Sequence, residues 1–331
     1  MKKLILLIVT AIWALGANQE IEVFNDNFVT QQSQVKLALV GNKKKYFPII
    51  KKMMNSLNAY FYYKNTEYKI RFFDEKTDID TIIKNYKDII YFTTDKNKVY
   101  ALKDYNATFY IPTFNQNDFN QSFSNIKFGL INFKDQIKKL STFVTTNSAV
   151  VVHTNLGTLP ARLLKYEQEQ NLSLRIINAD KIRYKYYALR NRYVFFNTYV
   201  NQTSQILANL VAKNIRTKLQ LSTQQNYSDK LIQLSQPQNL KKIVLANSIV
   251  NYPSDLVDIN KNFSGDFRYF WLNYVVSALA NVIYNKQMQQ DEFYLNDFGM
   301  YMFNNQVNYP TQIFKVFRGA FVPVRFKQEI N

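Results

Sequence analysis

The side chains that usually do chemistry are scarce and scattered in this chain of 331 residues. There is one histidine, His153, and no cysteine, which removes disulfides, thiolate metal sites, iron–sulfur clusters and cysteine nucleophiles together. A lone histidine at the end of an apolar run has no ligand partners at metal spacing, and no serine or aspartate is placed to complete a triad around it. The acidic pairs Asp78/Asp80 and Asp291/Glu292 sit in polar turns without any context for acid–base work. Only seven glycines are present, and no G-x-G-x-x-G or Walker-type string occurs. No catalytic residue, metal or cofactor is therefore expected, and the chain reads as non-enzymatic.

What remains are polar and aromatic groups at the ends of apolar runs, where a ligand could be held rather than converted. Thr93 and Thr94 follow Ile89–Phe92, Thr113 follows Pro112, and Asn155 and Gly157 follow the run Ala149–Val152. Tyr227 lies in the stretch STQQNYS, and Asn247 follows KIVLA. Threonines after a strand could offer hydroxyls to a ligand carboxylate, but they are more often simple helix caps. With 24 tyrosines in the chain, chance placement explains any one of them. Lys43, Lys44 and Lys45 make a basic loop after Gly41-Asn42, where long side chains would cover an edge rather than open it.

The elements that must position these groups are short apolar runs alternating with amphipathic segments. Ser148–Ala179 shows the unit most clearly. A β-branched run is followed by a turn, and Leu159, Leu163, Leu164 and Tyr166 then punctuate a segment carrying Arg162, Lys165, Glu167 and Glu169. That mixed pattern predicts a half-exposed helix, and Leu172–Ile177 returns as a second strand. Strand–helix–strand units build parallel sheets with helices on both faces, and ligands gather at the carboxyl edge of the strands. Similar alternation predicts strands at 35–40, 69–73, 89–92 and 108–111, then at 193–197, 219–222 and 242–246. Helices are predicted near 46–63, 78–85, 133–142, 202–214 and 229–234, with 267–284 as the longest. The tail from Phe293 turns at Asn304-Asn305 and Arg318-Gly319, as hairpins do.

The expected fold class is α/β: two doubly wound parallel-sheet lobes joined by crossover segments, with a C-terminal strand hairpin. The expected boundaries are an N-terminal lobe at 35–126, a C-terminal lobe at 127–255 with Lys127–Asn132 starting the crossing, and a long helix with closing strands at 256–331. Before these, Lys2-Lys3, the apolar run Leu4–Leu15 and Gly16-Ala17 have the three parts of a secretory signal at 1–17, followed by a polar leader at 18–34. The apolar run is too short for an ordinary membrane span, and no cysteine follows for lipid attachment. A periplasmic protein is expected, not a lipoprotein, touching the membrane only through the signal segment before cleavage. Nucleic acid is then not a partner. The formal charge of +18 fits either an anionic partner or the Lys-, Asn- and Tyr-rich composition itself.

Two lobes in this order resemble the type 1 periplasmic binding-protein fold over roughly 35–324. The closing segment FYLNDFGMYMFNNQVNYPTQIFKVFRGAFVPV, the helix around Tyr274, Ala278 and Ala280, and Asn155-Leu156-Gly157 are the parts that look most like it. The branch includes branched-chain amino-acid binding proteins and the periplasmic regulatory domain of peptidoglycan-synthase activators. The resemblance implies a ligand cleft between the lobes, with Thr93, Thr94, Thr113, Asn155, Gly157, Tyr227 and Asn247 as its candidates. Solute-binding members have a Gly/Ser/Pro-rich first loop, and Lys43–Lys45 depart from that. The expected function is a non-catalytic envelope protein acting on a protein or cell-wall partner through a degenerate cleft. The alternative is a solute-binding protein for a small, anionic or amino-acid-like ligand.

Overall fold

The computed structural model describes residues 34–324. The expected signal segment and polar leader up to residue 33, and the residues after 324, lie outside that range.

The chain first lays down β1 (Val35–Gly41), α1 (Lys43–Tyr63), β2 (Tyr68–Asp74), α2 (Ile79–Ile83), β3 (Asp88–Phe92), α3 (Lys96–Ala101), β4 (Thr108–Ile111) and β5 (Ile126–Phe128). The five strands pair in parallel in the order β2-β1-β3-β4-β5. Every residue of β3 is buried, as expected of an unbroken apolar run covered by helices on both faces. Asn42, Asp78 and Asp95 cap α1, α2 and α3 through their side chains, which is why each helix starts directly after a polar turn.

The second lobe begins with α4 (Phe133–Ser141) and continues through β6 (Ser148–His153), α5 (Thr158–Gln168), β7 (Ser173–Asn178), β8 (Tyr193–Asn197), α6 (Val200–Ala212), β9 (Leu219–Ser222), α7 (Asp229–Leu234), α8 (Pro237–Leu240) and β10 (Ile243–Asn247). Its strands are also parallel, in the order β10-β9-β8-β6-β7. After α9 (Ser254–Asn262) and α10 (Trp271–Gln287), the strands β11 (Tyr294–Leu295), β12 (Met300–Phe303) and β13 (Gln306–Asn308) extend the first sheet beyond β5. Finally β14 (Gln312–Phe317) and β15 (Ala320–Pro323) extend the second sheet beyond β10. The chain thus passes between the sheets at 129–132, 248–253 and 309–311.

Both hairpin turns fall where the sequence places them. Asn304 and Asn305 have φ of 47° and 60°, and Arg318 and Gly319 have φ of 49° and 74°. Paired left-handed residues give the turn whose twist matches that of the flanking antiparallel strands.

Three details differ from the sequence reading. Lys127 and Phe128 belong to β5, so the first crossing starts at Gly129. The helix expected over 267–284 runs instead from Trp271 to Gln287, because Asp266 holds the preceding turn: its carboxylate accepts from Tyr269 N at 3.1 Å and its carbonyl from Phe270 N at 3.0 Å. Among the described residues the longest helix is α1, with 21 residues against 17 for α10; it begins three residues before Tyr46 and bends there.

One apolar core runs through both lobes, joining Tyr60 and Phe61 of α1, Tyr274 and Leu279 of α10, and Val151 and Phe195 of the second sheet. Separate cores cover the outer face of each sheet. Gly129 lets the first crossing pass against α10, since a Cβ there would lie 2.7 Å from Leu279 Cδ1.

Candidate functional site

The loops that follow the parallel strands of the two sheets meet between the lobes. Arg162 of α5 stands 3.7 Å from the Asp118 carboxylate and 5.5 Å from the ring centroid of Phe114, both in the loop after β4. This contact joins the carboxyl edges of the lobes, where open α/β sheets usually hold ligands.

In the first lobe, the candidate groups are engaged with one another. Thr93 is buried; its hydroxyl accepts from Asp95 N at 3.1 Å and its carbonyl accepts the Thr113 hydroxyl. The Thr94 and Tyr46 hydroxyls share a 2.9 Å hydrogen bond, and the Tyr46 ring meets Phe92 edge-on at 5.2 Å. Burial works to raise the Tyr46 hydroxyl, but hydrogen bonds with Lys45 and Thr94 outweigh it and leave the group below the usual phenol value. Lys43, Lys44 and Lys45 are exposed in the first turn of α1, which contains no acidic residue of its own, although the Asp74 carboxylate accepts from Lys43 N at 3.0 Å. Cations are unfavourable at that end of a helix dipole.

In the second lobe, Asn155 is exposed at the tip of the loop after β6. Gly157 has φ of +79°, and a Cβ there would lie 2.6 Å from the Tyr199 hydroxyl, which donates to Leu156 O at 3.1 Å. The loop is therefore folded down onto Tyr199. Asn247 is fully buried and closes a turn on itself: its Nδ2 donates to Ile249 O at 3.0 Å and its Oδ1 accepts from Ile249 N at 3.1 Å. Tyr227 packs in an aromatic cluster, stacked on Phe321 at 4.2 Å and edge-on to Phe314 at 5.0 Å. Burial pushes its hydroxyl up to about 12, against a hydrogen bond with Asn247.

Other polar atoms of this edge have no hydrogen-bond partner among the described residues. They are Thr223 Oγ1, both amide atoms of Gln225 and Asn226 Oδ1 after β9, and Gln202 Oε1 in the first turn of α6. In α5, Glu167 is wholly buried, although its place among charged neighbours predicts a solvent-facing position. Asn197 Nδ2 donates to Glu167 Oε2 at 2.8 Å, and Oε1 is unpaired. Burial raises this carboxyl to about 8, only partly offset by the Asn197 bond.

The crossings behind the cleft are bound by a buried polar network. Gln136 of α4 donates to Gln224 Oε1 at 3.1 Å and to Ser248 Oγ at 3.0 Å, and its Oε1 accepts from Gln224 N at 3.0 Å. The Ser248 hydroxyl in turn shares a 3.0 Å bond with that of Thr311. The Tyr309 hydroxyl donates to Gly129 O at 2.7 Å, and that of Tyr274 to Asn251 O at 2.8 Å. All three crossings are thus held by side chains.

Two open depressions, of about 460 and 420 Å³, lie elsewhere, at the amino edge of the first sheet around Lys87, Lys103, Lys286 and Asp88. Lys286 Nζ there is already 2.7 Å from Asp88 Oδ1. Among the described residues, no group of three or more His, Asp or Glu is placed to hold a metal ion.

Arg162, Asp118, Phe114, Gln136, Gln224, Ser248 and Thr311 escape a reading of the sequence. Arg162 looks like one more charge on a half-exposed helix, and the glutamines look like loop residues. Only Thr223–Asn226, a polar run directly after an apolar strand, gives a local sign of a site.

No family model matches this chain, and no curated protein matches it in sequence. Solved structures do. The leucine-binding protein LivK of Thermotoga maritima superposes with a TM-score of 0.60 at 10% identity, covering 88% of this chain and 98% of its own. The branched-chain amino-acid binding protein LivJ of Streptococcus pneumoniae, solved with isoleucine, gives 0.61 at 9%, covering 88% and 100%. Full-length LpoA of Haemophilus influenzae gives 0.61 at 12%; 89% of this chain is covered, against 60% of LpoA. At such identities the likeness is one of fold, and together with the two crossed-over α/β lobes it shows that this chain has the type 1 periplasmic binding-protein-like fold.

Proposed function

We propose that this protein is a non-catalytic envelope protein, located in the periplasm, that acts through contacts with a protein or cell-wall partner and does not carry a small solute in its cleft. The observation behind this is that the chain's own side chains fill the roles a ligand would take. Arg162 bridges the lobes to Asp118 and Phe114, and Thr93, Thr94 and Thr113 are bonded within the first lobe. A solute would have to displace an internal contact before making its own.

A second reading, a binder of a small polar solute, is favoured by the unpaired groups of Thr223, Gln225 and Gln202. A buried amide without partners costs about 1–3 kcal/mol, which a ligand would recover.

A thermal-shift screen with free amino acids, short peptides and small anions separates the two, because a bound solute stabilises the folded state by mass action. No compound is expected to raise Tm by more than about 1 °C. A rise of several degrees with one compound, lost in Gln225→Ala or Thr93→Val, overturns the proposal. Arg162→Ala is expected to leave Tm nearly unchanged, since a partly exposed ion pair contributes about 0–1 kcal/mol, but to widen the pair-distance distribution in small-angle scattering as the lobes part.

A further inference from the structure

The positive charge of this protein is concentrated. Residues 175–218 contain nine Lys and Arg and one acid, Asp180, so this stretch supplies +8 of the chain's +18. Compositional drift would spread charge evenly. Asn191 N donates to Arg216 O and Lys218 N to Arg192 O, both at 2.8 Å, so the bases at the start of β8 and β9 stand side by side.

The same region contains an open strand edge. Among the described residues, β7 ends the second sheet and pairs only with β6. Ser173 N donates to Asn147 O on the β6 side. By the alternation of a parallel strand, the N–H and C=O groups of Leu174 and Ile176 therefore point outward. Ile176 is 41% exposed, and Arg175 is exposed on the opposite face. After β7 the chain returns over that Arg175 face in two short 3-10 turns, Ala179–Tyr184 and Tyr186–Leu189, whose Ile182, Tyr186 and Leu189 pack into the core beneath. Tyr184 and Tyr187 are left more than 70% exposed, with Arg183 at 4.4 Å and Arg190 at 5.4 Å from their respective ring centroids. Among the described residues, Arg175, Arg183 and Arg190 have no carboxylate partner.

We propose that β7 is a docking edge for an extended acidic segment of a partner protein. The segment adds a strand to the second sheet by bonding the outward groups of Leu174 and Ile176. Side chains of the added strand alternate between faces, so its acidic residues meet Arg175, Arg183 and Arg190 while its apolar residues meet Ile176. Edge addition of this kind takes affinity from main-chain bonds and specificity from alternate side chains. One arginine is enough to discourage chance pairing at an edge; arginine-backed tyrosines and a surrounding field of bases go beyond that need. A second copy of the chain is disfavoured, because pairing β7 with itself brings arginines together. A membrane surface is disfavoured too, since the 3-10 turns have six and four residues and form no amphipathic helix.

The inference rests on the reading that the protein acts by protein contact. Its test is separate, however: a solute found in the cleft would undo that reading and leave the β7 edge in place. The full-length protein is titrated with a fluorescent ten-residue peptide alternating Glu and Val. Three further probes are compared: the same peptide N-methylated at alternate amides, inorganic polyphosphate, and vesicles of anionic phospholipid. The expected result is salt-sensitive binding of the plain peptide, weakened at least tenfold by N-methylation and by Arg175→Glu with Arg183→Glu, with photocrosslinks at residues 174–178. N-methylation preserves every charge and leaves the protein unchanged, so it isolates the strand bonds. Equal binding of the methylated peptide, tighter binding of polyphosphate or vesicles, crosslinks elsewhere, or no binding would overturn the proposal.

Discussion

The two lobes bring the same kind of edge to the cleft and treat it differently. In the first lobe the polar groups after β3 and β4 are bonded to each other, through Thr93 with Asp95 and Thr113, and Thr94 with Tyr46. In the second, the loops after β8 and β9 are stapled by Asn226, whose Nδ2 donates to Thr198 O at 3.0 Å and Ser222 Oγ at 2.8 Å, yet Thr223 and Gln225 beside it are unpaired. Glu167, bonded to Asn197 at the end of β8, is buried with one oxygen unpaired. A sheet edge can thus keep its architecture while its polar groups turn to one another, because the bonds that hold the loops and the bonds that would hold a ligand come from the same short list of donors and acceptors. The first lobe has closed that list, and the second has left part of it open.

The contrast can be broken most strongly at the crossings, where the second lobe's edge is anchored. Gln136→Leu removes three hydrogen bonds, leaving Gln224 N without its partner and the Ser248 hydroxyl with Thr311 alone, so urea unfolding should show a loss of about 2–4 kcal/mol. A loss below about 0.5 kcal/mol would mean that the edge stands without the network.

Glu167 comes next. Its carboxyl titrates near 8 when folded, against an ordinary value of 4.5. The folded chain therefore holds this proton more tightly than the unfolded one. The stability tied to it is intact below about 4.5 and is lost as pH rises toward about 8. Glu167→Gln, which cannot ionise, should be more stable than the parent by roughly 4 kcal/mol at pH 9 and close to it at pH 5. An equal difference at both pH values would show that the carboxyl does not titrate in this window.

The smallest effect is expected in the first lobe. Thr113→Val deletes one hydroxyl donor to the Thr93 carbonyl and should cost about 1 kcal/mol. A cost above that of Gln136→Leu would reverse the ranking and place the more tightly coupled edge in the first lobe.

Much of the fold is legible in the sequence. The runs at 108–111 and 193–197 are strands because β-branched and aromatic residues end at Pro112 and at Asn197-Thr198, and the hairpins at 304–305 and 318–319 are written in residues that tolerate left-handed backbone. The site is far less legible. Glu167 has the surroundings of a surface helix charge, and nothing in its neighbours foretells a buried position next to Asn197, 30 residues on. Gln136 meets partners 88 and 112 residues away, and Arg162 meets Asp118 across the lobes. Ile176 has the look of a core strand residue, yet its strand is the last of its sheet, and half of its backbone bonds face outward.

By itself, the sequence determined the alternation of strands and helices, the hairpin turns, the scarcity of reactive side chains and the excess of positive charge. These depend on residue type and on spacings within a turn or a strand pair, so they survive without knowledge of the partners. The tertiary structure alone decided which polar groups satisfy one another and which are left open at the Gln225 corner and along β7. That choice is made by strand order and by where the chain crosses between the sheets, and no local pattern of residues encodes either.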